Sequence, residues 1–158
     1  MIHNEQAVSG TVFARLKGTQ NVTDGTVSAR IALDYNNTGA WGGGGLYVRH
    51  DAGPNLNASG YLFWLQPDGG MNIAKGSWYG ATNLGAFVTK VNMFKETAAN
   101  YVPEVELSVV MAGNRFDVYV NSVWVFGFND NDNPYLSGHV GIMAHNMNID
   151  CYDFKVAE

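Results

Sequence analysis

The most regular stretch of the chain runs from Pro103 to Asp130. Val105, Leu107, Val109 and Met111 alternate there with Glu104, Glu106, Ser108 and Val110. This period of two is the mark of a half-buried strand, whose side chains point to opposite faces in turn. Gly113-Asn114 then predicts a tight turn, because Gly tolerates positive φ and Asn nearly does. Phe116, Val118 and Val120 alternate with Arg115, Asp117, Tyr119 and Asn121, and Asn121-Ser122 turns the chain again into Val123 to Phe128. A three-stranded meander of this kind has two edges and one apolar face. The rest of the chain must therefore supply a second sheet to cover it.

The same reading extends to both sides. Strands are predicted over 10–17, 26–35, 45–50, 60–66, 71–75, 84–90, 138–145 and 150–156. Val27, Ala29, Ile31 and Leu33 share one face of the second of these. Loops are predicted over 36–44, 51–59 and 76–83, a hairpin turn at Pro67-Asp68-Gly69-Gly70, and one short helix over Met93 to Tyr101. About eleven short strands at regular spacing predict an all-β fold, a two-sheet antiparallel β-sandwich of the jelly-roll kind. It fills residues 1–158 as a single domain, with the first and last strands expected to pair.

Composition narrows the class. The chain has 158 residues, enough to bury a sizeable core, and 46% are hydrophobic, which excludes disorder. Gly at 19 against Pro at 4 suits turns between strands. A net charge of −5 argues against nucleic acid as a partner. No apolar run reaches the roughly 18 residues of a spanning helix, so no membrane segment is expected. No secretory leader is visible at Met1, so an extracellular or cell-surface location implies a larger parent protein. Cys151 is the single cysteine and reads as a small buried hydrophobe of the last strand.

The order of these words carries a resemblance. A strand, Gly-Asn, the strand FDVYVN, an acidic loop with Tyr135, then SGHVGIMAHN and a closing YDFKV resemble the C-terminal half of concanavalin A-like jelly rolls. The pattern, over roughly Asp24 to Val156, is similar to laminin-G-like domains, to 3-keto-disaccharide hydrolase-type sandwiches and to levan-binding carbohydrate-binding modules. The second turn departs from the usual Asn-Gly, being Asn-Ser here. In the resembling families a Gly-x-x-x-Arg strand and its Gly-Tyr neighbour lie in the sheet that forms the binding face. The matching residues are Gly45 to Arg49 and Gly60-Tyr61.

Alternation places Tyr47 and Arg49 on one face of the strand 45–50, and Leu62 and Trp64 on one face of the strand 60–66, with Gln66 marking its less buried side. If the two strands pair, Tyr47, Arg49, Trp64 and Gln66 form one patch. Sugars need this mixture, since an aromatic ring packs on the C–H face while Arg and Gln bond the hydroxyls. The alternative is that Trp64 belongs to the core and Arg49 covers it with its stem. Trp41, Asp51 and the Trp78-Tyr79 pair, on three loops, would wall the face or else plug an end of the sandwich. Asp130 and Asp132 offer oxygens at alternate positions and are candidates for a structural calcium, which members of the superfamily often carry. Without the distal Glu of a calcium loop, a solvated turn accounts for the run better. No other cofactor is expected.

Signatures of catalysis are lacking. Glu104 and Glu106 alternate on a strand without the intervening Asp of the sandwich glucanases, and read as a solvated face. His50 and His145 have no partner visible in the sequence and read as structural. The expected function is therefore non-catalytic binding of a polysaccharide or oligosaccharide, as a lectin-like domain of a bacterial or phage surface or secreted protein. The alternatives are a glycoside hydrolase or polysaccharide lyase of the same fold, and a structural or adhesion module.

Overall fold

The structure, a computed structural model, describes residues 2–3, 11–19, 21–33, 42–51, 59–66, 70–77, 82–87 and 104–158. Twelve strands appear in order: β1 (Ile2–His3), β2 (Thr11–Arg15), β3 (Gly25–Leu33), β4 (Gly43–His50), β5 (Gly60–Leu65), β6 (Met71–Gly76), β7 (Thr82–Phe87), β8 (Glu104–Ala112), β9 (Arg115–Val120), β10 (Val123–Asn129), β11 (His139–His145) and β12 (Ile149–Ala157). They form two antiparallel six-stranded sheets. Sheet A has the order β1-β12-β3-β8-β9-β10, and sheet B the order β2-β11-β4-β5-β6-β7. The fold is the expected jelly-roll sandwich. The predicted helix over 93–101, the turn residues 67–69 and most of the predicted loops lie outside the described residues.

Period-two alternation decides the core. Val105, Leu107, Val109 and Met111 of β8, and Phe116, Val118 and Val120 of β9, all point inward and are buried. They meet Leu46, Val48, Phe63, Leu65, Ile73 and Ile142 of sheet B in one apolar cluster. Glu104 and Glu106 point to solvent from the far side of β8, and Glu104 pairs with Arg30 at 2.6 Å. Both carboxylates thus sit on an outer face, as the alternation required. Cys151 is buried, which pushes its thiol up to about 11 and leaves it a hydrophobe. Asn121 and Ser122 both take positive φ, at 49° and 65°, as a two-residue hairpin turn demands. Asn121 compensates for the missing Gly by accepting the Glu106 N–H on Oδ1 at 2.9 Å.

The pairing of the chain ends differs from the sequence reading. The strand that begins near Gly10 joins β11, not the last strand. The last strand lies between β3 and the two-residue β1, which is too short for any pattern to show.

The acidic loop holds a polar corner. Asp130 is only 5% exposed. Its Oδ2 accepts from Lys75 Nζ at 2.7 Å and from the Tyr61 hydroxyl at 2.5 Å, while Oδ1 accepts the Asp132 N–H at 3.0 Å. Lys75 also bonds the Asp132 carbonyl. A lysine ammonium thus bridges the Asp130 carboxylate and the Asp132 carbonyl. Among the described residues no three His, Cys, Asp or Glu side chains gather as a cation site.

Burial alone would raise the Asp130 pKa, but the bonds from Lys75, Tyr61 and the Asp132 N–H outweigh it and hold the carboxyl below its ordinary value. A depressed carboxylate stabilises the fold fully above the unfolded pKa of about 3.9, and that contribution is lost as pH falls through the folded value. Asp130→Asn should therefore lower Tm at neutral pH, by a stability loss of about 3 kcal/mol. The gap between variant and wild type should close on acidification below the carboxylate range. A gap that stays constant down that range would show that Asp130 contributes no charge-dependent stability.

Candidate carbohydrate-binding face

One irregularity shapes sheet B. On β11 His139 and Gly141 are two positions apart, yet their β4 partners, His50 and Tyr47, are three apart. The extra residue on β4 is a β-bulge, and Arg49 takes a left-handed φ of 50° within it. The bulge fits only because its neighbours are glycines. A Cβ on Gly60 would lie 2.6 Å from His50 Cβ, and one on Gly138 would lie 2.5 Å from the Arg49 carbonyl carbon.

The bulge reverses the alternation at Arg49. Its side chain turns between the sheets and is 1% exposed, rather than lying beside Tyr47 on the outer face as the sequence predicts. Nε and Nη2 donate to the Thr23 carbonyl at 3.0 and 2.7 Å, and Nη1 donates to the carbonyls of Gly113 and Tyr135 at 2.5 and 3.1 Å. Nη2 also meets Asp24 Oδ1 at 3.2 Å. The guanidinium lies over the Phe116 ring, 5.1 Å from its centroid. Burial lowers its pKa, with Asp24 and then Tyr61 countering in part. Arg49 is thus a clamp of the sandwich and cannot reach a ligand on the sheet.

The outer face of sheet B is built from what remains. Tyr47, Leu62 and Met143 form a second apolar cluster, with Phe13, Trp64 and Ala74 packed around it. The cross-strand register explains it, since Tyr47 faces Leu62, Trp64 faces Gly45 and Asn72, and Met143 faces Phe13. Phe13 and Tyr47 lie 5.3 Å apart between centroids. The Trp64 indole lies across Gly43, where a Cβ would come within 1.6 Å of Nε1. Trp64 also meets the His145 ring edge-on at 5.8 Å. Asn72 Nδ2 donates to Gln66 Oε1 at 2.9 Å, placing two amides at this end.

Imidazoles line the other end. The bulge that turns Arg49 inward brings His50 out, to stack on Tyr47 at 4.8 Å with the planes 5° apart. His139 follows at 5.4 Å from His50. His50 Nδ1 sits 2.8 Å from the Asp51 carbonyl, so Nδ1 carries the proton and Nε2 presents a lone pair. That Nε2, and Nδ1 of His139, are buried and have no hydrogen-bond partner among the described residues. Burial lowers the pKa of both rings, and Arg15 lowers them further, so both are neutral at neutral pH. Native proteins leave few buried polar atoms unpaired, and two at one end of an aromatic face call for a ligand or water.

Of the predicted site residues, the structure brings Tyr47, Trp64 and Gln66 together and places exposed Asp51 beside His50, while Arg49 is elsewhere. Trp41, Trp78 and Tyr79 lie outside the described residues. Sequence reasoning missed Phe13, Asn72 and His139, and dismissed His50 and His145. Asn72 was within reach, since the hairpin sets it opposite Trp64. His50 was not, because only the bulge turns it to this face. His145 finds its partner, Thr11 Oγ1 at 2.7 Å, 134 residues away in sequence.

No family model and no curated protein matches the chain. Solved structures do match its fold. The carbohydrate-binding module CBM66 from Bacillus subtilis superposes with a TM-score of 0.75 at 18% identity, covering 95% of this chain and 83% of the other. Sheep galectin-11 gives 0.57 at 13%, covering 97% and 100%. Laminarinase from Flavobacterium gives 0.62 at 12%, covering 90% and 70%. These likenesses show the fold of the chain, a two-sheet antiparallel β-sandwich.

The clamp makes a direct prediction. Arg49→Ala empties a buried site and strips donors from three carbonyls, and should cost about 3 kcal/mol or more, roughly 10 °C in Tm. Arg49→Lys should rescue little, because an ammonium cannot reproduce the planar fork. An Arg49→Ala protein that melts like wild type would remove Arg49 from the fold's support.

Proposed function

We propose that this chain is a non-catalytic carbohydrate-binding domain that holds a glycan on the outer face of sheet B. One observation carries the reading: an aromatic floor of Phe13, Tyr47 and Trp64 ends in His50 Nε2, a buried acceptor with no donor among the described residues. A sugar ring offers the complement, an apolar C–H face for the floor and a hydroxyl donor for the imidazole. Gln66, Asn72 and Asp51 supply further polar contacts. Among the described residues this face carries a single carboxylate, Asp51, whereas acid–base hydrolysis of a glycoside uses two across one bond. The structural neighbours include a carbohydrate-binding module and a galectin, and also a laminarinase, so the enzyme reading shares the fold but not the carboxylate pair. On this reading the partner is a polysaccharide or oligosaccharide, met at a cell surface or in a secreted protein of which this domain is a part.

A glycan array should return neutral sugars, and the best of them should bind without release of reducing ends. Trp64→Ala and Asn72→Ala should each weaken that binding about tenfold, or about 1.4 kcal/mol, with Tm followed alongside. Full affinity in both folded variants would move the ligand off this face. Reducing-sugar release would replace the reading with the enzyme.

The imidazoles predict the pH profile. A ligand hydroxyl can donate to His50 only while Nε2 is unprotonated. Burial lowers the folded pKa, so the neutral ring persists below the ordinary histidine value of about 6.5. Affinity measured by titration should stay level through neutral pH and drop only on further acidification. Affinity that rises on acidification would mean the protonated ring is the binding form.

A further inference from the structure

Sheet A presents an indole on its own outer face. Trp124 is 55% exposed on the edge strand β10, directly opposite Tyr119 of β9. An exposed tryptophan of this kind would ordinarily be free to turn. Here its Nε1–H donates to Asp117 Oδ1 at 3.1 Å. The same carboxylate receives the fork of Arg115, with Nη2 to Oδ1 at 2.7 Å and Nε to Oδ2 at 3.1 Å. Arg115 Nη1 in turn donates to Asn129 Oδ1 at 3.1 Å.

The floor beneath these groups is cleared for them. Gly127 pairs with Asp117 across the ladder, and a Cβ there would lie 2.1 Å from Asp117 Oδ1 and 2.4 Å from Arg115 Nη2. The glycine leaves the room that the fork and the carboxylate occupy on the sheet. None of this is needed by the core, which takes Phe116, Val118 and Val120 from the opposite face of β9. Exposed ion pairs add little to stability. A fixed ring beside a preassembled row of donors and acceptors is what binding requires, because the ordering is done before the ligand arrives.

We propose that Trp124, Asp117, Arg115 and Asn129 form a second carbohydrate site, independent of the one on sheet B. A neutral sugar ring stacks its C–H face on Trp124. Its hydroxyls donate to the remaining lone pairs of Asp117 and accept from the unused N–H groups of Arg115 and Asn129. Arg115, and then Trp124, hold the Asp117 carboxyl below its ordinary pKa, so it stays an acceptor. The two faces lie on opposite sides of the sandwich. One molecule with both sites occupied bridges two glycan chains, a consequence that rests on the sheet B reading, whereas the Trp124 site does not.

The test uses the full chain, labelled with nitrogen-15 and titrated separately with kestose, laminaribiose and lactose as probes of furanose, glucose and galactose rings. At least one should shift the Trp124 indole signal together with the backbone amides of Arg115, Asp117 and Asn129. Trp124→Ala should remove those shifts, weaken binding at this face at least tenfold and leave both Tm and any sheet B shifts unchanged. No perturbation at Trp124 with any of the three sugars overturns the site. Shifts confined to sheet B overturn it while leaving the proposed function standing, and shifts confined to Trp124 do the reverse. A wild-type dimer that Trp124→Ala converts to a monomer also overturns it, since the surface would then belong to a second copy of the chain.

Discussion

A buried guanidinium holds one end of this sandwich together. Arg49 enters from the middle of sheet B and ends on carbonyls from three separate segments: the approach to β3, the β8–β9 turn and the loop before β11. A charge taken out of water is costly unless its hydrogen bonds are fully met. Here the acceptors and the Phe116 face meet them, so the segments that supply them are held in place. Tyr135 links this clamp to the second polar corner. Its carbonyl accepts from Arg49, and its N–H donates to Tyr61, whose hydroxyl bonds Asp130. The apolar layer between the sheets is thus closed at this end by two joined polar networks.

The clamp also shapes the candidate site. Turning Arg49 inward requires one extra residue on β4, and that residue shifts every later side chain to the other face. His50 moves outward as a result and stacks on Tyr47. The unpaired nitrogen at the end of the aromatic floor is therefore a by-product of a structural demand inside the sandwich. Gly60 and Gly138 belong to the same device, since any side chain at either position would collide with the bulge.

The two outer faces differ in the way a sugar would have to be held. Sheet B offers a broad, partly buried aromatic floor with neutral imidazoles and amides. Sheet A offers one exposed indole beside an ion pair and an amide. Desolvation favours the first and pre-organisation the second.

Period-two alternation, read from the sequence, determined most of the fold. The core sides of β3, β8 and β9 follow directly from it, because a half-buried strand can satisfy only one assignment of faces. The outward Glu104 and Glu106 and the shared face of Leu62 and Trp64 were legible for the same reason, and the buried Cys151 from its apolar character. The tertiary structure alone decided where Arg49 goes. A bulge is one residue inserted between two hydrogen-bonded partners, and the partner strand, β11, lies some ninety residues away. Local alternation, which put Arg49 beside Tyr47, carries no trace of it. The pairing of Ile2–His3 with β12 and the contact of His145 with Thr11 were hidden likewise. The lysine in the Asp130 corner could not be foreseen either, because Lys75 reaches that loop only when β6 and the loop meet across the folded sandwich.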